Sequence, residues 1–170
     1  MKRRFNKEIS FRRTEVMAVT GATSNQLQYF ERSGLITPHR YYELGRPVVA
    51  YTKNQMLQIK AIQKLREQIS GQAVRKIISY LNAHGYDQSL YDKHLVIVGK
   101  EVFWVQPDWS NVCNEMATAL RLASKRQKGV GQYTLLVIPP LIEAAQEIKK
   151  SAKKSKVIDF ESFLSRFEAA

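Results

Sequence analysis

The stretch Gly21-Ala22-Thr23-Ser24-Asn25-Gln26 constrains this chain more than any other. Thr23 stands where a helix N-cap belongs, and Gln26 follows three residues later. A hydroxyl at the cap accepts a helix N–H while the amide three residues on reaches back, which is a capping box. Ser33-Gly34 closes the same segment, so the spacing predicts a helix over Ser24–Arg32. Leu27, Phe30 and Tyr29 supply its apolar side. So short a helix is not stable alone and needs a partner to pack on. Thr14–Thr20, with Val16, Met17 and Val19, is the neighbour across the Gly21 turn. Two short helices joined by a Gly-containing turn predict a helix-turn-helix.

Beyond it, aromatic and β-branched residues flank a tip at Glu43-Leu44-Gly45-Arg46, from His39 to Tyr51. That pattern predicts a β-hairpin, or wing. Pro47 suits a strand start and not a central ladder. Thr52 and Gln55 form a second capping box, opening a helix to about Gln68 through Met56, Ile59, Ile62 and Leu65. Ser70 opens another to about Ala83, with Val74, Ile77, Ile78 and Leu81 inward, and Gly85 stops it.

The second half changes character. Leu95–Val98 and Val102–Val105 flank Gly99-Lys100-Glu101 and predict a hairpin. Val112–Ala123 suits a helix or a strand, and Tyr133–Ile138 reads as a third strand. Pro139-Pro140 opens a helix to about Lys154, since proline is well tolerated in a first turn. Its inward face is expected at Leu141, Ala145, Ile148 and Ala152. A last amphipathic segment, Ile158–Phe167, carries Phe160, Phe163, Leu164 and Phe167. The expected class is α+β. Its expected parts are a basic arm over 1–10, a winged helix-turn-helix with a following helix pair over 11–85, a small hairpin/strand/helix dimerisation region over 86–156, and a C-terminal amphipathic helix over 157–170.

Charge separates the halves. Residues 1–85 carry 15 basic and 5 acidic residues, hence +10; residues 86–170 carry 12 and 10, hence +2. A basic half beside a nearly neutral one points to a polyanion partner for the first. A single cysteine, Cys113, excludes an intramolecular disulfide and a multi-thiolate metal site. His39, His84 and His94 have no ligand spacing, so no metal and no cofactor is expected. The longest apolar run, Thr134–Ile142, is broken by two prolines, and MKRRFNKEIS leads into no apolar stretch. Neither a membrane span nor a secretory signal is expected, and a cytoplasmic location is. There is no Gly-rich phosphate loop, nucleophile elbow or His-Glu metal motif, so an enzyme is not expected. Phe103, Trp104, Trp109 and Tyr133 read as sheet core rather than as a ligand pocket.

Phe11-Arg12-Arg13, the Gly21 turn, Leu27, Tyr29-Phe30-Glu31-Arg32, Gly34-Leu35-x-x-Pro38, Tyr51 and Leu65-Arg66-Glu67 follow one another in the order and spacing of a known family. Over its first half the chain resembles the MerR-family transcriptional regulators. The tail, GKEVFWVQP…GQYTLLVIPPLIEAAQEIKK, is similar to that of compact MerR-like repressors encoded beside type V-K CRISPR-associated transposases. The resemblance implies that the second helix enters the major groove of DNA, with the wing on the flanking backbone.

The residues fit that role. Ser24, Asn25, Gln28 and Tyr29 share the outer side of the second helix, and Asn or Gln can bond adenine N6 and N7 together. Where the family often has arginine, this chain has Asn25 and Gln28, which favours base reading over phosphate contact. His39, Arg40, Tyr42 and Arg46 in the wing suit phosphate oxygens, as does Arg13, and Thr23 and Arg32 are also expected at the DNA. Pro47-Val48-Val49 stands where the family commonly has Gly-Tyr-Arg, leaving Arg40 or Arg46 to compensate. The family's long dimer helix is missing. Val96, Val98, Phe103, Val105, Leu141 and Ile148 are therefore expected at a dimer interface in the tail. The expected function is a sequence-specific regulator, a repressor binding an inverted repeat as a homodimer, with no effector identified. The competing expectation is an architectural, excisionase-like DNA-bending factor.

Overall fold

A computed structural model describes residues 7–67, 69–83, 90, 94–98, 101–105, 133–137 and 141–170. The predicted helix-turn-helix is present. After a single 3-10 turn (Lys7–Ile9) and a two-residue strand β1 (Phe11–Arg12), helix α1 runs Arg13–Thr20. Glu15 starts it, accepting the Arg12 backbone N–H at 2.8 Å. Gly21, at φ +72°, ends it by donating its N–H to the Met17 carbonyl. A side chain there would be strained, because only glycine enters the left-handed region freely.

Helix α2 (Ser24–Arg32) begins on the predicted capping box. Thr23 Oγ1 accepts from the Gln26 N–H at 3.2 Å, and Gln26 Oε1 accepts from the Thr23 N–H at 2.9 Å. Past its end, the Leu35 N–H returns to the Phe30 carbonyl and buries Leu35 and Ile36. Strands β2 (His39–Glu43) and β3 (Arg46–Tyr51) make the wing, with Tyr42 opposite Pro47 and Glu43 opposite Arg46. β1 adds to the other side of β3, giving the antiparallel order β1-β3-β2. Helix α3 (Lys53–Arg66) opens on the Thr52–Gln55 box, and Gln55 Nε2 also donates to the Thr37 carbonyl at 2.6 Å. One amide thus caps a helix and fastens the loop before the wing.

The chain divides into two compact units, 1–60 with 141–170, and 61–140. The expected division at residue 85 followed the sequence; the folded units follow contacts instead. In the first unit, helices α5 (Leu141–Lys154) and α6 (Phe160–Ala169) return to the head. Ala144, Ile148 and Ala152 of α5 are buried, and α5 lies along α1. Ile148 and Ala152, expected to await a second chain, are therefore covered by their own chain. The covered face is also turned toward Ala144 from the expected Ala145, which is only half-buried. Lys60 pairs with Glu147 at 3.0 Å, tying α3 to α5.

Helix α6, capped by Asp159 on the Ser162 N–H at 2.8 Å, brings Phe163 and Phe167 against Phe11. Ring centroids lie 5.0 Å apart for Phe11–Phe163 and 5.7 Å for Phe163–Phe167. Arg166 lies over the Phe11 ring, pairs with Glu15 and donates to the Ser10 carbonyl at 2.8 Å. The Phe-bearing helix therefore docks on its own head, a choice its amphipathic pattern left open.

The second unit holds the end of α3, helix α4 (Gly71–Ala83) and a second antiparallel sheet. Ala61, Ile62, Leu65, Val74, Leu81 and Leu90 are buried in it. Strands β4 (His94–Val98), β5 (Glu101–Val105) and β6 (Tyr133–Val137) take the order β5-β4-β6. Register sets Phe103 and Leu135 on either side of Val96. The Gly99-Lys100 tip, the Val112–Ala123 segment, Trp109, Cys113 and Pro139-Pro140 lie outside the described residues.

Candidate nucleic-acid interface

The outer side of α2 is a stripe. Asn25, Gln28 and Arg32 are all exposed, spaced three and four residues apart. Such residues share one helix face, and at 1.5 Å per residue the stripe is about 10 Å long. Neither amide of Asn25 or Gln28 is engaged elsewhere among the described residues, whereas Gln26 and Gln55 are used up in capping. Thr23 is exposed, but its hydroxyl is the cap itself. Ser24 is exposed and takes Arg13 on its carbonyl at 2.9 Å. Tyr29 is half-buried, edge-on to Phe30.

Behind the stripe lies a charged hub. Glu31, its side chain 12% exposed, accepts from Arg13 at 2.9 Å, from Arg40 at 3.2 Å and from the Tyr51 hydroxyl at 2.6 Å. Tyr51 is buried, and burial first, then the hydrogen bond to Glu31, pushes its phenol well above the ordinary value. The hub joins the start of α1, the end of α2 and both strands of the wing through one carboxylate. Arg13, expected on DNA, is largely occupied here: it holds Glu31 and Ser24 and so fixes the angle between α1 and α2. Arg40 is different, since its side chain remains 70% exposed while touching Glu31.

The wing presents Arg40, Tyr42 and Arg46 outward, with His39 half-buried. Arg32 and Arg46 make no ion pair among the described residues. Glu43, the one acid of the hairpin, is taken by Arg12 at 2.7 Å. The surface formed by the stripe and the wing is thus cationic and amide-bearing, with its carboxylates neutralised. Such a surface can meet phosphates with guanidinium groups while base edges meet the amides. The sequence pattern missed the Tyr51 hydroxyl and Arg12 as hub and wing partners; Glu31 beside arginines was its only signal.

Residues 11–83, from β1 to the end of α4, match the family model described as MerR HTH family regulatory protein. This segment is a MerR-family helix-turn-helix domain. The match supports a DNA-binding transcription regulator and does not favour the excisionase-like reading. A comparison with curated proteins finds no match. Among the described residues, no three His, Cys, Asp or Glu side chains gather as metal ligands, and no helix is long and apolar enough to cross a membrane. Of the tail residues expected at a dimer interface, the structure places Val96, Val98, Phe103 and Val105 in the second sheet and Leu141 at the start of α5.

Proposed function

We propose that the MerR domain reads an inverted-repeat operator with Asn25 and Gln28 in the major groove, and that the chain represses the promoter it covers. The observation that carries this reading is the pair of exposed, unengaged amides on a helix held to the wing by Glu31. A preorganised helix loses little on docking, and amides at three-residue spacing can each face a base pair. Arg40 and Arg46 take flanking phosphates and set register. Two copies make the two-fold symmetry an inverted repeat mirrors. Pairing at the outer strands β5 and β6 is the route to such a dimer, because an edge strand offers unpaired N–H and C=O groups. The similarity of the tail to compact repressors encoded beside type V-K CRISPR-associated transposases supports repression over activation.

The test selects duplexes from a random-sequence pool with the full chain, then measures Asn25→Ala and Gln28→Ala on a panel of single-base operator variants. Each substitution is expected to cost about 1–3 kcal/mol on the selected site and to flatten preference at one position. Unchanged preference in both variants sinks the base-reading role.

A further inference from the structure

We propose that Leu44, at the tip of the β2–β3 hairpin, is an apolar wedge that enters the minor groove and unstacks a base step. The inference rests on the DNA-binding reading above and adds to it a residue that deforms the duplex. Two features set Leu44 apart. Its side chain is 98% exposed, the most solvent-open large hydrophobic among the described residues. It also sits at φ +49°, followed by Gly45 at φ +74°, which makes a two-residue hairpin turn with both central residues left-handed. Such a turn prefers Asn-Gly, and a leucine in the first place is strained. Neither exposure nor strain helps this hairpin fold, so the leucine is explained by what it meets outside the protein.

The charge around the tip names the occupant. Arg46 stands next to the turn, Arg40 lies further down the same hairpin, and Tyr42, 77% exposed, is two residues before Leu44 and opposite Pro47. The hairpin's one carboxylate, Glu43, is held by Arg12. An apolar point within a cationic collar suits a polyanion with an apolar interior, and a base stack between two phosphate ridges is that object. Proteins that use the minor groove insert Leu, Phe, Ile, Met or Pro between base steps in this way. The reach is adequate. From Arg40, fastened to α2 through Glu31, to Leu44 is about 13 Å along the strand at ~3.3 Å per residue. The major groove is about 12 Å wide, so a hairpin anchored beside a helix in that groove extends past a phosphate ridge to the next groove.

The experiment uses the full chain and the duplex it selects from a random pool. Dyes at the duplex ends report bending, and 2-aminopurine placed step by step reports unstacking. Leu44→Asn keeps the turn, because asparagine tolerates the left-handed region, and removes the wedge. It is expected to melt no lower than wild type, to bind about tenfold or more weakly, and to lose the bend and the 2-aminopurine signal. Leu44→Met, equally strained but still apolar, is expected to keep affinity, bend and signal. Wild-type affinity and bend in Leu44→Asn overturns the proposal, as does weaker binding with an unchanged bend, or a Leu44→Met that behaves like Leu44→Asn. If the wild-type chain selects no duplex at all, the DNA-binding reading itself falls, an outcome visible before any variant is made.

Discussion

Replacing Phe163 by alanine tests whether the tail is part of the DNA-binding unit. The ring is fully buried, 5.0 Å from Phe11 and 5.7 Å from Phe167 between centroids. Phe→Ala at such a site costs about 3–5 kcal/mol, from lost burial and the cavity left behind. A domain has roughly 5–15 kcal/mol in all, so this one change removes a large share. Urea unfolding followed by far-UV circular dichroism gives the total. Amide exchange shows where it falls: residues 160–169 and the start of α1 should lose protection together, because Arg166 also grips Glu15 and Ser10. A double-mutant cycle with Phe11→Ala should return a coupling of about 0.5–1.5 kcal/mol for the ring pair. A cost below about 0.5 kcal/mol, the range of a surface change, with unaltered exchange in 13–20, refutes the docking of α6 on the head.

Arg40→Ala and Arg46→Ala should each weaken binding to all duplexes alike and reduce the slope of log K against log salt by about 1. Anisotropy titrations across a salt series check this, and unchanged slopes would take the wing off the phosphates. Arg13→Ala should act otherwise, lowering the melting temperature, because it unfastens α1 from both Glu31 and the Ser24 carbonyl. For Tyr51, the raised native pKa means that the folded chain keeps a proton which the unfolded chain releases above its ordinary 10.0. Stability from this group is whole below that pH and is lost as pH rises through the native value, at about 1.4 kcal/mol per pH unit. Tyr51→Phe should therefore be less stable near neutrality, yet lose less between about pH 9 and about pH 11, as read from urea midpoints.

Helix α2 and the wing were legible because their determinants are local. The Thr23–Gln26 box, the Ser33-Gly34 stop and the Gly45 tip all act within a few residues. The outward placement of Asn25 and Gln28 followed from the same periodicity. β1 was not legible, since two residues pairing with Tyr51 and Ala50 carry no pattern of their own. The partner of α5 and α6 was not legible either. An amphipathic stripe such as Phe160–Phe167 says that a face is covered, not by what, and Phe11 lies some 150 residues away in the chain. The pairing of Arg13 was not legible for a related reason: a basic residue near a recognition helix looks the same in sequence whether or not it holds Glu31.

The first unit takes its residues from both ends of the chain, with 61–140 between them. Synthesis runs in one direction, so the head emerges long before the helices that finish it. At about 5–20 residues per second, the intervening 80 residues take roughly 4–16 s to make. For that interval Phe11 has neither Phe163 nor Phe167 beside it, and Glu15 has no Arg166. The unit that carries the helix-turn-helix is thus completed only after 61–140 has been made. A ribosome that stalls within 61–140 leaves an apolar head waiting for its cover, open to chaperones and to other nascent copies of itself.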